Sequence, residues 1–163
     1  MRIFSHPYLS LPPTRPSPRN IDWKIDSKAT ANEAIKRMTA GRIGCLGVTD
    51  GDKVVGVVSE RDFINKIAFL EKDASKTPVS EICTYGSANL VKVKLGDPID
   101  RCMEKMLGRD IRHLLITEDA DSENVIGMIS IKDVVKCTLA RSEAMVDRLE
   151  MIVQTQDMMR HQI

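Results

Sequence analysis

The chain has 163 residues, of which 42% are hydrophobic and 29% charged, and its formal net charge is +1. This composition is typical of a globular protein with one compact domain or two small ones, and the near-neutral charge argues against a dedicated nucleic-acid-binding protein. No apolar run reaches the about 18–20 residues that span a bilayer. The four cysteines form no C-x-x-C pair, which argues against a disulfide scaffold or a zinc site and favours a reducing, intracellular compartment.

The first residues differ from the rest of the chain. Residues 1–21 contain no Asp or Glu, three arginines and five of the seven prolines. Because proline neither continues a helix nor donates to a sheet, residues 1–20 are predicted to form an extended basic arm. Two interpretations stay open, a basic tail or the remnant of an organellar targeting peptide, so the expected location is mitochondrial or cytoplasmic.

The middle of the chain is a tandem repeat. Residues 31–49 match residues 99–117 at an offset of 68. After a loop that is longer in the second copy, the offset becomes 71 and matches Gly56, Ser59 and Asp62 with Gly127, Ser130 and Asp133. This is the pattern of a duplicated domain. Each unit has only about 60 residues, so the two are expected to share a core.

Each unit is predicted to be β-α-β-β-α. In the first, a strand over 21–25 precedes a helix that begins at a Thr30/Glu33 capping box and ends at Gly41. Strands over 43–48 and 54–58 flank a turn at residues 50–52. A second helix begins at Ser59, and its predicted apolar face is Phe63, Ile64, Ile67 and Leu70.

The second unit repeats this order. Its predicted strands cover 90–94, 113–117 and 125–129, and its helices begin at Pro98 and Ser130. Beyond it, Met145, Leu149, Ile152 and Met159 form an apolar stripe at helical spacing. This terminal helix either packs on its own domain or pairs with a second copy of the chain.

The most informative pattern follows each predicted hairpin. It reads G-h-h-S-x-[RK]-D, where h is apolar, at residues 56–62 and 127–133. One interpretation is structural, because a serine N-cap with an acidic residue three positions later is a capping motif. The other is ligand binding: a helix N-terminus attracts an anion, a carboxylate can accept hydrogen bonds from two ribose hydroxyls, and glycine lets a flat base approach the backbone.

With this motif, the duplicated unit resembles a pair of CBS domains (the Bateman module) over roughly residues 20–140, and it is similar to small stand-alone CBS-pair proteins of bacteria and organelles. The segments that carry the resemblance are 50–62, 112–115 and 127–133. The resemblance implies an α+β fold: tandem CBS domains packed sheet to sheet with pseudo-twofold symmetry, plus a C-terminal helix. The predicted domains are 21–82 and 83–140, followed by an amphipathic helix over 141–163.

The resemblance also implies two clefts for adenosine ligands, the candidates being AMP, ADP, ATP, NAD(H) and S-adenosylmethionine. Asp62 and Asp133 would hold ribose hydroxyls, and Ser59 and Ser130 would cap the helices and contact ribose or phosphate. The first unit has Gly44 and Cys45 where the second has Arg112 and His113. The two clefts are therefore expected to differ in phosphate affinity.

The remaining site residues follow from the same resemblance. Arg112 and His113 would face the phosphates, with Arg61 and Lys132 as further candidates. The residues predicted to border the base are Thr84, Tyr85 and Ala88. The first-unit counterparts of Ile111 and Arg112 are Ile43 and Gly44, which complete the set.

The expected function is a non-enzymatic sensor of energy state that binds an adenine nucleotide and signals its occupancy to a partner. The sequence has no phosphate-binding P-loop, no metal-ligand spacing and no evident nucleophile–base pair, so no catalytic residue, catalytic cofactor or metal is predicted. The resemblance implies a homodimer, and one family branch suggests a thioredoxin-type partner; no nucleic-acid or membrane partner is expected. The alternative is a ligand-independent adaptor or dimerisation module, with a redox link.

Overall fold

The computed structural model describes residues 22–119 and 123–160. The predicted arm over residues 1–20 lies outside the described residues. The first unit contains β1 (Lys24–Asp26), α1 (Ala31–Gly41), β2 (Cys45–Asp50), β3 (Lys53–Ser59) and α2 (Glu60–Phe63), which continues as a π-helical turn (Ile64–Ala68). A connection follows with α3 (Val79–Ile82), β4 (Thr84–Tyr85) and a 3₁₀ turn (Ser87–Asn89).

The second unit contains β5 (Lys92–Lys94), α4 (Ile99–Gly108), β6 (His113–Thr117), β7 (Val125–Ser130) and α5 (Ile131–Arg160). The predicted order β-α-β-β-α is therefore confirmed in both units. In the described residues, no helix combines the length and the apolar character needed to cross a membrane.

The two sheets are built alike. In the first, the order is β1-β2-β3-β4, with β1 parallel to β2 and the other neighbours antiparallel. The second has the order β5-β6-β7 with the same relative directions. Strand β4 follows the first unit in the chain but hydrogen-bonds to β3, so the connection between the units completes the first sheet.

Helix α1 begins and ends at the predicted residues, but the residue that caps its C-terminus is not a glycine. The Oγ1 of Thr30 accepts a hydrogen bond from the backbone N–H of Glu33 at 3.2 Å. Gly41 remains helical, and the left-handed residue that ends the helix is Arg42, with φ of 52°. Its N–H donates to the carbonyls of Met38 and Thr39. The prediction that the helix ends at Gly41 is thus confirmed, while the left-handed cap is the next residue, Arg42, which the C-cap hydrogen bonds hold in this conformation.

The second helix of the first unit departs from the predicted apolar face. Of the four predicted residues, Ile67 is buried and Phe63 half-buried, but Ile64 is 60% and Leu70 54% exposed. After Phe63 the N–H groups bond to carbonyls five residues earlier, as between Phe69 and Ile64. This π pattern shifts the rotation per residue, so a 3.6-residue period does not describe which side chains face the core.

Three apolar clusters hold the molecule together. One lies inside the first unit around Ile25, Met38 and Val58, and another lies inside the second around Met106 and Leu114. The third joins the sheets, where Leu90, Leu115 and Val125 pack with Trp23, Val54, Val57 and Met128. It contains the repeat-equivalent pairs Val54/Val125 and Val57/Met128, as expected of two units related by a pseudo-twofold axis.

Candidate ligand-binding cleft

A cleft of about 210 Å³ opens between the two units. Its wall combines the motif of the first unit, the connection and the beginning of β6 in the second unit. Six of the predicted site residues line it: Ser59, Arg61, Asp62, Thr84, Arg112 and His113. Asp62 of the first unit and the Arg112–His113 pair of the second therefore line one cavity, an arrangement that the sequence did not specify.

Asp62 is held by its own helix. The backbone N–H of Ser59 donates to Oδ2 of Asp62 at 3.0 Å, and the Ser59 hydroxyl donates to the same oxygen at 2.7 Å. The hydroxyl in turn accepts from the N–H of Asp62 at 3.3 Å. The structural interpretation of the motif is thus correct for this copy. It does not exclude a ligand role, because a carboxylate has about four lone-pair sites.

A lysine fixes the other oxygen of this carboxylate. The Nζ of Lys66 lies 2.8 Å from Oδ1 of Asp62 and also donates to the carbonyl of Ile82 at 2.5 Å. The side chain of Asp62 is only 17% exposed. Lys66 therefore neutralises a half-buried anion and sets its orientation toward the cleft.

The second unit contributes a cation and an imidazole to the cleft. Arg112 is exposed and His113 is half-buried at the beginning of β6. Burial and the neighbouring Arg112 guanidinium lower the pKa of His113 below its usual range, while the Asp133 carboxylate opposes part of this shift. His113 is thus neutral near pH 7 and able to accept a proton when an anion enters.

An ion pair joins the units at this cleft. Nη1 of Arg61 lies 3.0 Å from Oδ2 of Asp110 and donates to the Asp110 carbonyl at 3.2 Å. Both side chains are largely exposed, so the pair adds little stability. The repeat equivalents of Arg61 and Asp110 are Lys132 and Arg42, two cations, so this cross-unit pair has no counterpart.

Apart from Asn89, the rest of the wall is mainly apolar, and sequence analysis did not identify these residues as part of the site. Val57 comes from β3, Leu90 and Val91 follow the connection, and Leu115 and Met128 come from the second sheet. These residues were readable as strand or core positions only. The one available signal was their closeness in the sequence to the predicted site residues, as Val57 lies two positions before Ser59.

The second copy of the motif has the same capping hydrogen bonds, but the residues around its aspartate are different. The N–H and hydroxyl of Ser130 donate to Oδ2 of Asp133 at 3.0 and 2.6 Å. Position 137, the counterpart of Lys66, is a cysteine, and within the described residues no hydrogen bond or ion pair reaches Oδ1 of Asp133. Residues 16 and 17, which lie 68 positions before Thr84 and Tyr85, are outside the described part of the chain.

Several predicted residues lie away from the cleft. Ser130, Lys132 and Asp133 lie where β7 ends and α5 begins. Tyr85 is 55% exposed on β4, and Ala88 borders a shallow depression of about 440 Å³ beside α4. That depression is larger than the cleft but contains neither motif.

The remaining two predicted residues lie at the base of β2. Ile43 packs against the core of the first unit. A Cβ built on Gly44 would lie 3.5 Å from Cε1 of His113 and 3.2 Å from a Glu60 carboxylate oxygen. The ring of His113 is thus at ordinary van der Waals distance, and the tighter neighbour is the Glu60 side chain, which would have to shift slightly to admit a Cβ at position 44.

The glycine of the first motif has a different role from the predicted one. A Cβ on Gly56 would lie 2.8 Å from the carbonyl oxygen of Thr84 and 3.2 Å from Sγ of Cys83. The space above Gly56 is thus filled by β4. The interpretation that Gly56 admits a flat base is wrong, because the close approach is made by the neighbouring strand.

The cysteines have the character of core residues. Cys45, Cys83 and Cys102 are buried. Burial, with a smaller contribution from Asp62, raises the pKa of Cys45 to about 12, and burial raises the pKa of Cys83 and Cys102 as well. These thiols stay protonated and poorly nucleophilic. In the described part of the chain, no three His, Cys, Asp or Glu side chains are grouped as a metal site.

Comparison with known proteins gives one family. The model described as the CBS domain matches residues 5–69 and 79–139. The mitochondrial CBS domain-containing protein CBSX3 of Arabidopsis thaliana is 30% identical over 128 residues, which are 77% of this chain and 60% of that protein. CBSCBSPB5 of the same plant is 30% identical over 76% of this chain and 22% of its own length. The chain thus spans less than two thirds of these relatives.

Solved structures agree with this result. A putative signal-transduction protein with CBS domains from Burkholderia ambifaria has 35% identity and a TM-score of 0.65, and the match covers 72% of this chain and 82% of that one. A CBS domain protein from Pyrobaculum aerophilum, solved in complex with AMP, has 26% identity and a TM-score of 0.58, with coverage of 68% and 80%.

Proposed function

Because the chain belongs to the CBS-domain family, with two domains that together form one regulatory module, we propose that it binds an adenine nucleotide between them and signals that occupancy to a partner protein. The observation that carries the proposal is the arrangement in the cleft. Asp62 of one unit and the Arg112–His113 pair of the other line the same cavity.

Each part of a nucleotide has a complementary surface in this cleft. Asp62, oriented by Ser59 and Lys66, accepts hydrogen bonds from ribose hydroxyls. Arg112 and His113 line the same cleft, where they attract the phosphate. The apolar side chains of Val57 and Met128 cover the adenine. The relative from Pyrobaculum aerophilum was solved with AMP, which supports the same ligand class here.

The size of the cleft favours a small ligand. Its volume of about 210 Å³ lies below the about 300–1,000 Å³ of common small-molecule sites. Of the candidates AMP, ADP, ATP, NAD(H) and S-adenosylmethionine, the monophosphate is therefore the best match to this cleft. The cleft lined by Asp62 also contains the Arg112–His113 pair. Of the two clefts that the resemblance implies, it is therefore the proposed tighter site for phosphorylated ligands.

Signalling follows from the position of the cleft. A nucleotide that contacts both units binds one relative arrangement more tightly than others and shifts the population toward it. A partner that recognises the favoured arrangement then responds to nucleotide concentration by thermodynamic linkage. No covalent chemistry on the ligand is needed for this mechanism.

A second function, a ligand-independent adaptor, is favoured by one specific observation. Both motif aspartates satisfy a capping interaction with their serine, and Lys66 already occupies Oδ1 of Asp62. In that case the carboxylates act only as caps, and the cleft binds no nucleotide.

Isothermal titration of AMP, ADP, ATP, NADH and S-adenosylmethionine into wild type, Asp62→Ala and Asp133→Ala distinguishes the two functions. The matched pair removes the same capping contact from opposite units. We expect AMP to bind the wild type, and Asp62→Ala to weaken its affinity at least tenfold. Binding at this cleft should persist in Asp133→Ala. At about 100 times the dissociation constant, the ligand should add about 2.7 kcal/mol to the free energy of unfolding. No binding by any nucleotide, with both variants merely less stable, contradicts the sensor and supports the adaptor.

A further inference from the structure

Helix α5 extends far beyond the unit in which it begins. Its 30 residues span about 45 Å at 1.5 Å per residue. Val134 is buried and Cys137 is half-buried, but every residue from Leu139 to Met158 is exposed. In proteins, most of the stability of a helix comes from the packing of its apolar face. Within the described residues, this part of α5 has no such packing, so a surface that covers it would stabilise it.

One side of this exposed part is apolar. The residues of the stripe follow the spacings of a helical face: Leu139, Met145, Val146, Leu149, Ile152 and Val153. Each is between 47% and 62% exposed. A continuous apolar stripe of this kind marks an interaction surface, in contrast to scattered single apolar residues.

Two edges of opposite charge border the stripe. On one side of Leu149, Glu143, Glu150 and Asp157 follow one another at intervals of seven residues. On the other side, Arg141 and Arg148 do the same. Because seven residues make almost two helical turns, each set runs parallel to the stripe. Arg141 also lies 3.4 Å from Asp100 of its own chain.

These edges specify both a partner and an orientation. In a parallel pair of identical helices, the twofold axis runs along the helices, so the acidic edge of one meets the basic edge of the other. In an antiparallel pair, the axis is perpendicular to the helices and each edge meets its own kind. Arg148 then faces Glu150 of a second copy only in the parallel arrangement.

The charge of the exposed part disfavours a membrane surface as the occupant. Residues 139–158 contain two arginines and four acidic residues, with no lysine. Helices that lie on membranes are rich in Lys and Arg on their polar face and bind anionic lipids. This helix would be repelled by such a surface.

From the apolar stripe and its two complementary edges, we infer that α5 of one chain pairs in parallel and in register with α5 of a second copy through residues 139–158. The pairing is independent of the proposed nucleotide cleft. It covers Leu149 at the centre and places Arg148 beside Glu150 of the second copy.

The first test is the mass of the full chain by sedimentation equilibrium. We expect Leu149→Asp to halve the mass, and Met151→Asp, on the opposite side of the helix, to leave it unchanged. Arg148→Glu should weaken association at least tenfold, and adding Glu150→Arg should restore it. Circular dichroism of each variant checks that the helix persists.

The second test determines the orientation by disulfide cross-linking in a Cys137→Ser background. Ser142, Leu149 and Gln156 lie seven residues apart along the stripe. In the parallel pair, Ser142→Cys alone and Gln156→Cys alone each form a cross-linked dimer, while Met151→Cys does not. In an antiparallel pair, neither forms one alone but a mixture of the two does, which overturns the inference.

Two further outcomes also overturn it. One is a wild-type chain that stays monomeric at about 100 μM, and the other is a mass that Leu149→Asp does not change. If the chain is monomeric and co-sediments with vesicles of anionic phospholipid, the surface that covers α5 is a membrane and not a second copy. Nucleotide titration of the same variants shows whether the cleft is intact, so failure of the helix pairing is distinguishable from failure of the proposed function.

Discussion

At the scale of single residues, the two motifs differ four positions after each aspartate. Lys66 bridges Asp62 and the carbonyl of Ile82, while the second copy has Cys137 at the equivalent position. A nucleotide at Asp62 meets a neutralised and oriented carboxylate. One at Asp133 meets a carboxylate whose Oδ1 has no partner among the described residues. The repeated motif therefore gives two carboxylates in different electrostatic surroundings.

The lowered pKa of His113 predicts a pH dependence of stability. In the unfolded chain this histidine binds a proton with an ordinary pKa of about 6.5, whereas in the folded chain its pKa is lower. The unfolded state therefore binds more protons in this range, and stability rises with pH. The contribution of His113 is complete above about 6.5 and is lost as the pH falls through the folded value.

Urea unfolding between about pH 5 and pH 8 measures this effect. The free energy of unfolding of wild type should fall more steeply on acidification than that of His113→Gln. The comparison cancels the contributions of His6 and His161, which both proteins share. Identical pH profiles for the two proteins would show that His113 titrates alike in the folded and unfolded states.

The sequence located the predicted site residues but not their neighbours. The repeat offset identified Asp62 and Asp133, and the resemblance identified Arg112 and His113. It could not show that Asp62 and the second unit's pair line one cavity, because that arrangement depends on how two sheets pack over a long separation in sequence. Asp110, which binds Arg61, carried no signal at all, since its counterpart is Arg42.

At the scale of elements, close packing of strands determines where glycine is needed. A Cβ on Gly47 in β2 would lie 2.6 Å from the ring of Trp23. Trp23 belongs to the cluster that joins the two sheets. Gly47 thus allows an aromatic side chain to lie directly on the strand and fill the space between the units.

Two glycine-to-alanine substitutions separate the cost of a steric clash with Trp23 from the entropic effect of replacing a glycine. Gly47→Ala should lower the free energy of unfolding by about 1–3 kcal/mol, because the ring of Trp23 must move. A Cβ on Gly108, at the end of α4, would have no atom within 4 Å, so Gly108→Ala should raise stability by about 0.5–1 kcal/mol. Chemical denaturation measures both. An equal effect of the two substitutions would contradict the proposed role of Trp23.

Element types followed from local patterns more reliably than element details. Strand β6 covers the predicted residues 113–117, because an apolar run bounded by polar residues is a local signal. The first strand was expected over 21–25 and is observed at Lys24–Asp26, where its pairing with β2 sets the limits. The π-helical turn after Phe63 was not predictable, since periodicity analysis assumes a constant 3.6 residues per turn.

At the scale of the whole molecule, the cluster between the sheets makes the two units interdependent. Leu115 is 2% exposed and belongs to that cluster. The cluster also contains Trp23, Val54 and Val57 of the first unit, although Leu115 lies in the second. Loss of packing at this position therefore affects the module as a whole.

Leu115→Ala should lower the free energy of unfolding by about 2–5 kcal/mol, the usual cost of such a cavity. The transition should remain single, because the shared cluster couples the unfolding of the two units. Leu107→Ala is the matched control, since Leu107 is 80% exposed, and should change stability by less than about 0.5 kcal/mol. Two separate transitions, recorded by calorimetry on either variant, would show that the units fold independently.

Strand β4 gives the repeat boundary an unusual property. Thr84 and Tyr85 are encoded after the first unit, yet they pair with Val57 and Gly56 of its sheet. A graft of the first unit alone must therefore carry the chain as far as Tyr85. If it stops earlier, the edge of β3 is left with open N–H and C=O groups, which invite pairing with another chain. The segment that repeats in the sequence is thus shorter than the segment that must be moved to keep the first sheet complete.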